Sequence, residues 1–298
     1  MSIPLLLELP NGLEVAFQTR SEARFFYEDI FEKEAYVRHG IVLDNGAVVF
    51  DVGANIGMFT IFAHTWCRQP RVYSFEPVPT LFEILSFNAG RHAPGARLFN
   101  FGLSDRARRE RFTFYPNSSG MSSVYANDEE EKEVLRAILG NQHRQGAEGL
   151  DEVLLHVDDL LEERLRRVEV EVELRTVSDV IRQEGVGRID LMKIDVQKSE
   201  CDVLAGIEDE HWSLIRQMVL EVHDFRGRVR QVLEELRSRG YEVLAEQDDF
   251  YTESNIYNLY ARRPPVPARE DRYQRIQERA ASLRQSLFRQ KQRRGAAK

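Results

Sequence analysis

The stretch Val48 to Thr60, VVFDVGANIGMFT, limits the possible folds more than any other part of the chain. It opens as an apolar run, Val48-Val49-Phe50-Asp51-Val52, and passes through Gly53-Ala54-Asn55-Ile56-Gly57. It then turns amphipathic with Met58, Phe59, Ile61 and Phe62. A short apolar run bounded by glycines reads as a buried parallel strand. A glycine-rich turn leading into a helix is where an α/β sheet receives a nucleotide-like ligand. Gly53 and Gly57 remove side chains where a ligand nears the backbone or where a turn needs positive φ. About 20 residues on, the spacing such units use, a second apolar strand, Val72-Tyr73-Ser74-Phe75, ends in Glu76-Pro77. A carboxylate at that tip is placed to accept hydrogen bonds from two ribose hydroxyls.

A glycine turn by itself also has a purely structural reading. Three features favour a ligand: the glycines follow a strand, Asp51 stands just ahead of them, and Glu76 ends the next strand. The nicotinamide fingerprint is not met, because Asn55 occupies the place of the glycine that admits a pyrophosphate. This argues for a nucleoside without pyrophosphate, and S-adenosylmethionine (SAM) is the candidate. A nicotinamide oxidoreductase is the competing reading that Asn55 counts against.

The rest of the chain supplies the frame. Residues 3–18 read as a hairpin turning at Asn11-Gly12, and residues 21–38 as one helix with Ser21 as its cap. Phe26, Tyr27 and Glu28 of that helix are candidates for the border of the ligand site. Residues 96–105 read as the third strand, with Gly102 to Asp105 as a loop beside the adenine. Ser104 or Asp105 is placed there to accept from the exocyclic amine, against the alternative of an Asx turn. Residues 109–126 read as short strands around a Pro-Asn-Ser-Ser-Gly turn. Residues 127–167 read as a charged helical insertion with a polar loop at Gly140–Gly149, either a lid or a solvated hairpin. Val168 to Leu174 alternates as a strand with one wet face. Thr176 caps the next helix, Ile189–Val196 is the fourth core strand and Met218–Asp224 the fifth. Strands near 241–247 and 255–262 close an α/β sheet that is mostly parallel with an antiparallel closing strand and helices on both faces. The expected division is residues 1–40 as a hairpin and helix on the core, 41–263 as the α/β domain, and 264–298 as a proline linker and basic amphipathic helix. That helix is a candidate to pack on the domain, pair with a second copy as a homodimer, or dock on an acidic carrier protein.

Composition sets bounds. The net charge of −8 argues against general nucleic-acid binding. No apolar run approaches the roughly 20 residues that span a bilayer, and the N-terminus lacks the marks of a signal peptide. The two cysteines, Cys67 and Cys201, have no metal-ligand spacing, so a reduced, cytoplasmic protein is expected.

Five motifs coincide in order: Asp51 to Gly57, Phe75-Glu76-Pro77, Gly102 to Asp105, Lys193-Ile194-Asp195-Val196, and Leu220-Glu221-Val222-His223. Together they resemble the FkbM-type family of SAM-dependent methyltransferases, over roughly residues 35–262. The wording Lys193 to Glu200 is most similar to the branch that works in or beside polyketide and nonribosomal peptide assembly lines, though many members have Glu-Gly in place of Gln197-Lys198. The resemblance implies a Rossmann-like class I methyltransferase sheet and O-methylation of a hydroxyl on a small molecule, free or tethered to an acyl or peptidyl carrier protein. It implies a cofactor wall of Asp51, Gly53, Asn55, Gly57, Glu76, Pro77, Ser104, Asp105 and Asp195. An alcohol needs a base near its proton. His223 is the first candidate because its ordinary pKa is near neutrality, with Asp195 near the methyl group and Glu221 orienting His223 or facing the substrate. Lys193 has a competing role as a structural ion-pair partner. Nothing in the spacing of Asp195, Glu221 and His223 demands a metal ion. N- or C-methylation, or a SAM-binding interaction module without chemistry, are the alternatives.

Overall fold

The computed structural model describes residues 5–146 and 156–264. The chain divides into two units, Met1–Arg262 and Arg263–Lys298, and every element below lies in the first. Residues 265–298 of the expected linker and basic helix, and residues 147–155 of the expected insertion, lie outside the described residues.

The chain opens as the expected hairpin, β1 (Leu6–Glu8) against β2 (Glu14–Ala16), with Gly12 at φ 83° in its turn. Helix α1 (Arg20–Tyr27) is shorter than the expected 21–38 and starts one residue earlier, because Thr19 rather than Ser21 caps it by accepting from the Glu22 N–H. The chain continues as a wide turn over Glu28–Glu32 and breaks at Glu34, whose φ of 55° no helix tolerates.

The central sheet contains β3 (Val48–Val52), β4 (Arg71–Phe75), β5 (Arg97–Phe99), β9 (Leu191–Ile194), β10 (Gln217–His223), β11 (Glu242–Glu246) and β12 (Ile256–Arg262). Their order is β11-β12-β10-β9-β3-β4-β5. All are parallel except β12, which runs antiparallel between β10 and β11. The strand last in sequence is thus interior, and β11 forms the edge.

The pleat sends alternate residues of β3 to opposite faces. Val49 packs with Phe59, Ile61 and Phe62 of α2 (Met58–Trp66) and Leu81 of α3 (Pro79–His92). Phe50 and Val52 pack with Val180 of α6 (Val177–Glu184), Val203 of α7 (Glu200–Ala205) and Leu236 of α8 (Arg228–Ser238). Helix α6 starts in a capping box in which Thr176 and Asp179 satisfy each other's backbone N–H.

The expected third strand is split. β5 ends at Phe99, and Asn100 donates to the carbonyls of Glu76 (3.0 Å) and Pro77 (3.2 Å). This turns the chain out of the main sheet into β6 (Gly102–Leu103). β6, β8 (Val168–Arg175) and β7 (Arg108–Phe114) make a separate side sheet in the order β6-β8-β7. The alternation of β8 therefore serves this sheet, with Val172 and Leu174 buried and Glu171 and Glu173 exposed.

Between β7 and β8, α4 (Asp128–Arg144) runs through Gly140, where a loop was expected, and α5 (Val157–Arg164) follows. Tyr115, Leu135, Leu161 and Leu165 form a small core beneath them. Asn141 ties α4 to the far end of the sheet by donating to the carbonyls of Phe250 (2.9 Å) and Thr252 (2.7 Å). No helix among the described residues is long and apolar enough to cross a membrane.

Candidate active site

A cavity of about 300 Å³ lies at the C-terminal ends of β3, β4, β9 and β10, the place where open parallel sheets take ligands. Its floor is the turn after β3. Gly53 has φ 76°, and a Cβ there would come within 1.9 Å of the Asp195 carbonyl oxygen. The glycine is thus required first by the chain leaving β9, which crosses directly over it. The N–H groups of Gly53 and Ala54 both donate to the Phe75 carbonyl, at 3.0 and 2.9 Å, which ties the turn to the tip of β4.

Asn55 sits in the left-handed region at φ 49°, a conformation asparagine adopts more readily than most residues. Its N–H then points at Glu76 Oε2 (2.9 Å), and its side-chain amide donates to Ser119 Oγ (3.1 Å). Glu76 Oε1 accepts from the Val78 N–H at 2.9 Å. Glu76 is 5% exposed, and burial, opposed by these two N–H groups, pushes its carboxyl up to about 7. Each oxygen keeps a further acceptor direction on the cavity wall. Ser118 Oγ and Ser199 Oγ, which also line the cavity, are buried and have no hydrogen-bond partner among the described residues. A fixed carboxylate with acceptor capacity at the tip of β4, and unspent hydroxyls elsewhere on the cavity lining, fit the ribose and polar tail of SAM.

The other end of the cavity is acidic. Asp195 Oδ2 accepts from Tyr36 Oη (3.1 Å) and Asp195 Oδ1 from Gln197 Nε2 (3.0 Å). The same Gln197 nitrogen donates to Glu221 Oε1 (3.1 Å), so one amide bridges the two carboxylates. Burial, and then the neighbouring Asp195, raise the Glu221 carboxyl to about 8. Asp29, from the wide turn after α1, is raised to about 6, chiefly by burial. Phe25, Phe26, Val134, Ile138, Leu139 and Phe250 line the apolar space beyond these acids.

Of the residues expected from the sequence, Gly53, Asn55, Glu76, Pro77, Ser104, Asp195 and Glu221 are brought to this one cavity, and so is Phe26. Others stand off its wall. Asp51 is fully buried within β3, accepting from Thr60 Oγ1 (2.7 Å) and facing Lys193 Nζ at 3.3 Å. This matches the ion-pair role weighed for Lys193, which also donates to the Gly53 carbonyl (2.7 Å). Gly57, at φ 88°, precedes α2 and packs on Leu85. Asp105 is engaged by Arg108 at 2.6 Å. Tyr27 stacks on Phe31, and Glu28 likewise does not reach the cavity.

His223 is fully buried, with Nδ1 3.0 Å from Glu200 Oε1. It shares the Glu221 face of β10, as residues two apart on a strand do, yet it does not reach the cavity wall. Glu208, Glu210 and His211 are the group of three metal-ligand types found together among the described residues. None of them lines this cavity.

Sequence reasoning missed Glu22, Ser118, Ser119, Tyr36 and Gln197. Glu22 accepts from Ser119 Oγ (3.1 Å) and the Gly120 N–H (3.1 Å), fastening the loop after β7 across α1. A first-turn acid in a helix normally needs no tertiary partner, so nothing in the sequence set it apart. The Pro-Asn-Ser-Ser-Gly turn was visible as a turn, without a sign of where it would land.

A family model for the methyltransferase FkbM domain matches residues 51–243. The 31-O-demethyl-FK506 methyltransferase FkbM of Streptomyces tacrolimicus is 44% identical over 257 residues, covering 86% of this chain and 96% of that protein. The AMB antimetabolite synthetase AmbE of Pseudomonas aeruginosa is 42% identical over 87% of this chain, a match that spans 12% of that much longer protein. The methyltransferase sdnD of Sordaria araneosa is 30% identical over 78% of this chain and 87% of its own length. A parallel sheet with one antiparallel strand next to its edge, and a buried acid at the tip of the strand after the glycine turn, define a class I SAM-dependent methyltransferase. The chain belongs to the FkbM methyltransferase family.

Proposed function

We propose that this methyltransferase transfers the methyl group to a hydroxyl on an apolar specialised metabolite of polyketide or nonribosomal peptide type, free or held on a carrier protein. The carrying observation is the carboxylate pair Asp195 and Glu221, bridged by Gln197 where the cofactor end of the cavity meets its apolar chamber. The relative named as a 31-O-demethyl-FK506 methyltransferase supports a hydroxyl acceptor, and the synthetase relative supports a carrier-bound one.

In this reading Glu76 receives the ribose hydroxyls, while Pro77, Leu103 and Ser104 border the adenine. Bound there, SAM supplies an electrophilic methyl group on a sulfonium cation. Asp195 faces that cation. Glu221 takes the proton of the acceptor hydroxyl. Its carboxyl, raised to about 8 by burial and by Asp195, has the basicity that suits proton removal near neutral pH. Gln197 keeps both carboxylates in place, and Tyr36 fixes the second oxygen of Asp195. Phe25, Phe26, Leu139 and Phe250 hold the acceptor and exclude water. His223 is a buried partner of Glu200 behind this site, and the base is Glu221.

The test is incubation with isotopically labelled SAM and a panel of hydroxylated polyketides and peptides, free and loaded on carrier proteins, read by mass spectrometry with fragmentation. A label on an alcohol oxygen supports the proposal. A label on nitrogen or carbon replaces the acceptor assignment, and binding without transfer to any acceptor favours an interaction module.

A further inference from the structure

Charge on the cavity wall is unevenly satisfied. Five carboxylates line it, Glu22, Asp29, Glu76, Asp195 and Glu221, with two cations, Lys193 and Arg164. Each carboxylate has partners in the chain, and Lys193 is held by Asp51, Asp195 and the Gly53 carbonyl. Among the described residues the Arg164 guanidinium forms no ion pair and no hydrogen bond, although it lines the same cavity and is only partly exposed. Its base is rigid. Arg164 ends α5 between Leu161 and Leu165, both buried in the small core under the insertion. The carbonyl of its neighbour Glu163 accepts from Asn117 Nδ2 at 3.1 Å. Next to Asn117 stands Ser118, whose buried hydroxyl on the cavity wall also lacks a partner among the described residues. A guanidinium anchored in a cavity with five carboxylates, and paired with none, has its fork of donors left for a planar or tetrahedral oxyanion.

We propose that Arg164, assisted by the Ser118 hydroxyl, is an oxyanion subsite of the cavity that takes a carboxylate or phosphate. This rests on the reading of the cavity as a chamber for cofactor and acceptor. The oxyanion has two sources: the α-carboxylate of the cofactor, or an acidic group carried by the acceptor.

Calorimetry on the full chain separates them. The probes are S-adenosylhomocysteine, its analogue lacking the carboxylate, and phenyl phosphate titrated into protein saturated with S-adenosylhomocysteine. The proteins are wild type, Arg164→Gln, Arg164→Lys and Ser118→Ala. Among the described residues the guanidinium touches no partner, so Arg164→Gln should unfold at the wild-type temperature.

If the cofactor is the source, Arg164→Gln weakens S-adenosylhomocysteine at least tenfold and leaves the analogue unchanged, Arg164→Lys restores part of the loss, and Ser118→Ala loses less. If the acceptor is the source, both nucleosides bind alike throughout. Phenyl phosphate then binds wild type and loses at least tenfold in Arg164→Gln. Wild-type values for all three probes in Arg164→Gln would overturn this inference and leave the cofactor reading intact. Failure of wild type to bind S-adenosylhomocysteine would overturn both.

Discussion

Glu76 carries the sharpest expectation at the scale of single residues. Its carboxyl is pushed up to about 7 by burial, and its ionised form is the stronger acceptor for ribose hydroxyls. Affinity for S-adenosylhomocysteine should therefore rise with pH through about 7 and level off above it, by up to about tenfold between pH 6 and pH 8, the change in the ionised fraction of such a group. Glu76→Gln should flatten that profile, and calorimetry at several pH values checks both. Gly53→Ala should abolish binding or soluble expression, because a Cβ 1.9 Å from the Asp195 carbonyl forces the floor of the site apart. Turnover should fall at least a hundredfold in Glu221→Gln with S-adenosylhomocysteine affinity kept within a few-fold, general-base contributions being about 10²–10⁴. An unchanged rate would move the base elsewhere.

These residues also show how far the site was legible. Gly53, Asn55 and Glu76 could be read because a strand, a turn and a strand tip sit in one continuous stretch. His223 and Glu221 share a strand face, and only the packing of Glu200 against the imidazole separates the buried one from the one on the wall. Gln197 and Arg164 owe their places to contacts across the fold that no local pattern records.

Among the elements, the attachment of α4 decides whether the cavity has a roof. Lys198 is 3% exposed and donates to Glu130 (2.8 Å) and Glu131 (2.7 Å) at the start of that helix. Its backbone stands at φ 73° next to Gln197 at φ 46°, and its carbonyl accepts from Arg228 at 2.6 Å. The buried ion pair thus joins α4 to Lys198, the residue that directly follows the Gln197 bridge between Asp195 and Glu221. Breaking a buried pair from one side typically costs about 3–5 kcal/mol, because it leaves a charge uncompensated. Lys198→Met should lower Tm by that equivalent, and Lys198→Met with Glu131→Leu should recover much of the loss; additive losses in thermal melts would contradict a paired role.

The elements of the main sheet were legible because hydrophobic runs and caps are local. The split of the third strand was not, since it depends on Asn100 finding the carbonyls of Glu76 and Pro77. The short α1 was not either, since it depends on the backbone of Glu34.

For the molecule as a whole, four carboxyls on the cavity wall with raised pKa values, Glu22, Asp29, Glu76 and Glu221, contribute one sign of pH dependence. Asp29, Glu76 and Glu221 stand at about 6, 7 and 8, above their ordinary values of 3.8 to 4.5. At these carboxyls the folded chain binds more protons than the unfolded chain across that window, so their contribution to stability falls as pH rises through it and levels off above about 8. Thermal melts of the ligand-free protein from pH 5 to pH 9 should show this decline. A chain ending at Arg262 retains the first unit and should fold and bind S-adenosylhomocysteine as the full chain does. A collapse in Tm would make the segment after Arg262 part of the core.

The most direct test of the cofactor site is calorimetry of SAM, S-adenosylhomocysteine and NAD against wild type and Glu76→Ala, with and without EDTA. The expected result is low-micromolar binding of SAM and S-adenosylhomocysteine by wild type, indifferent to EDTA, no binding of NAD, and a loss of more than tenfold in Glu76→Ala. Binding of NAD, or affinity for S-adenosylhomocysteine that ignores the loss of Glu76, would contradict the assignment of the turn after β3 and the tip of β4 as the cofactor site.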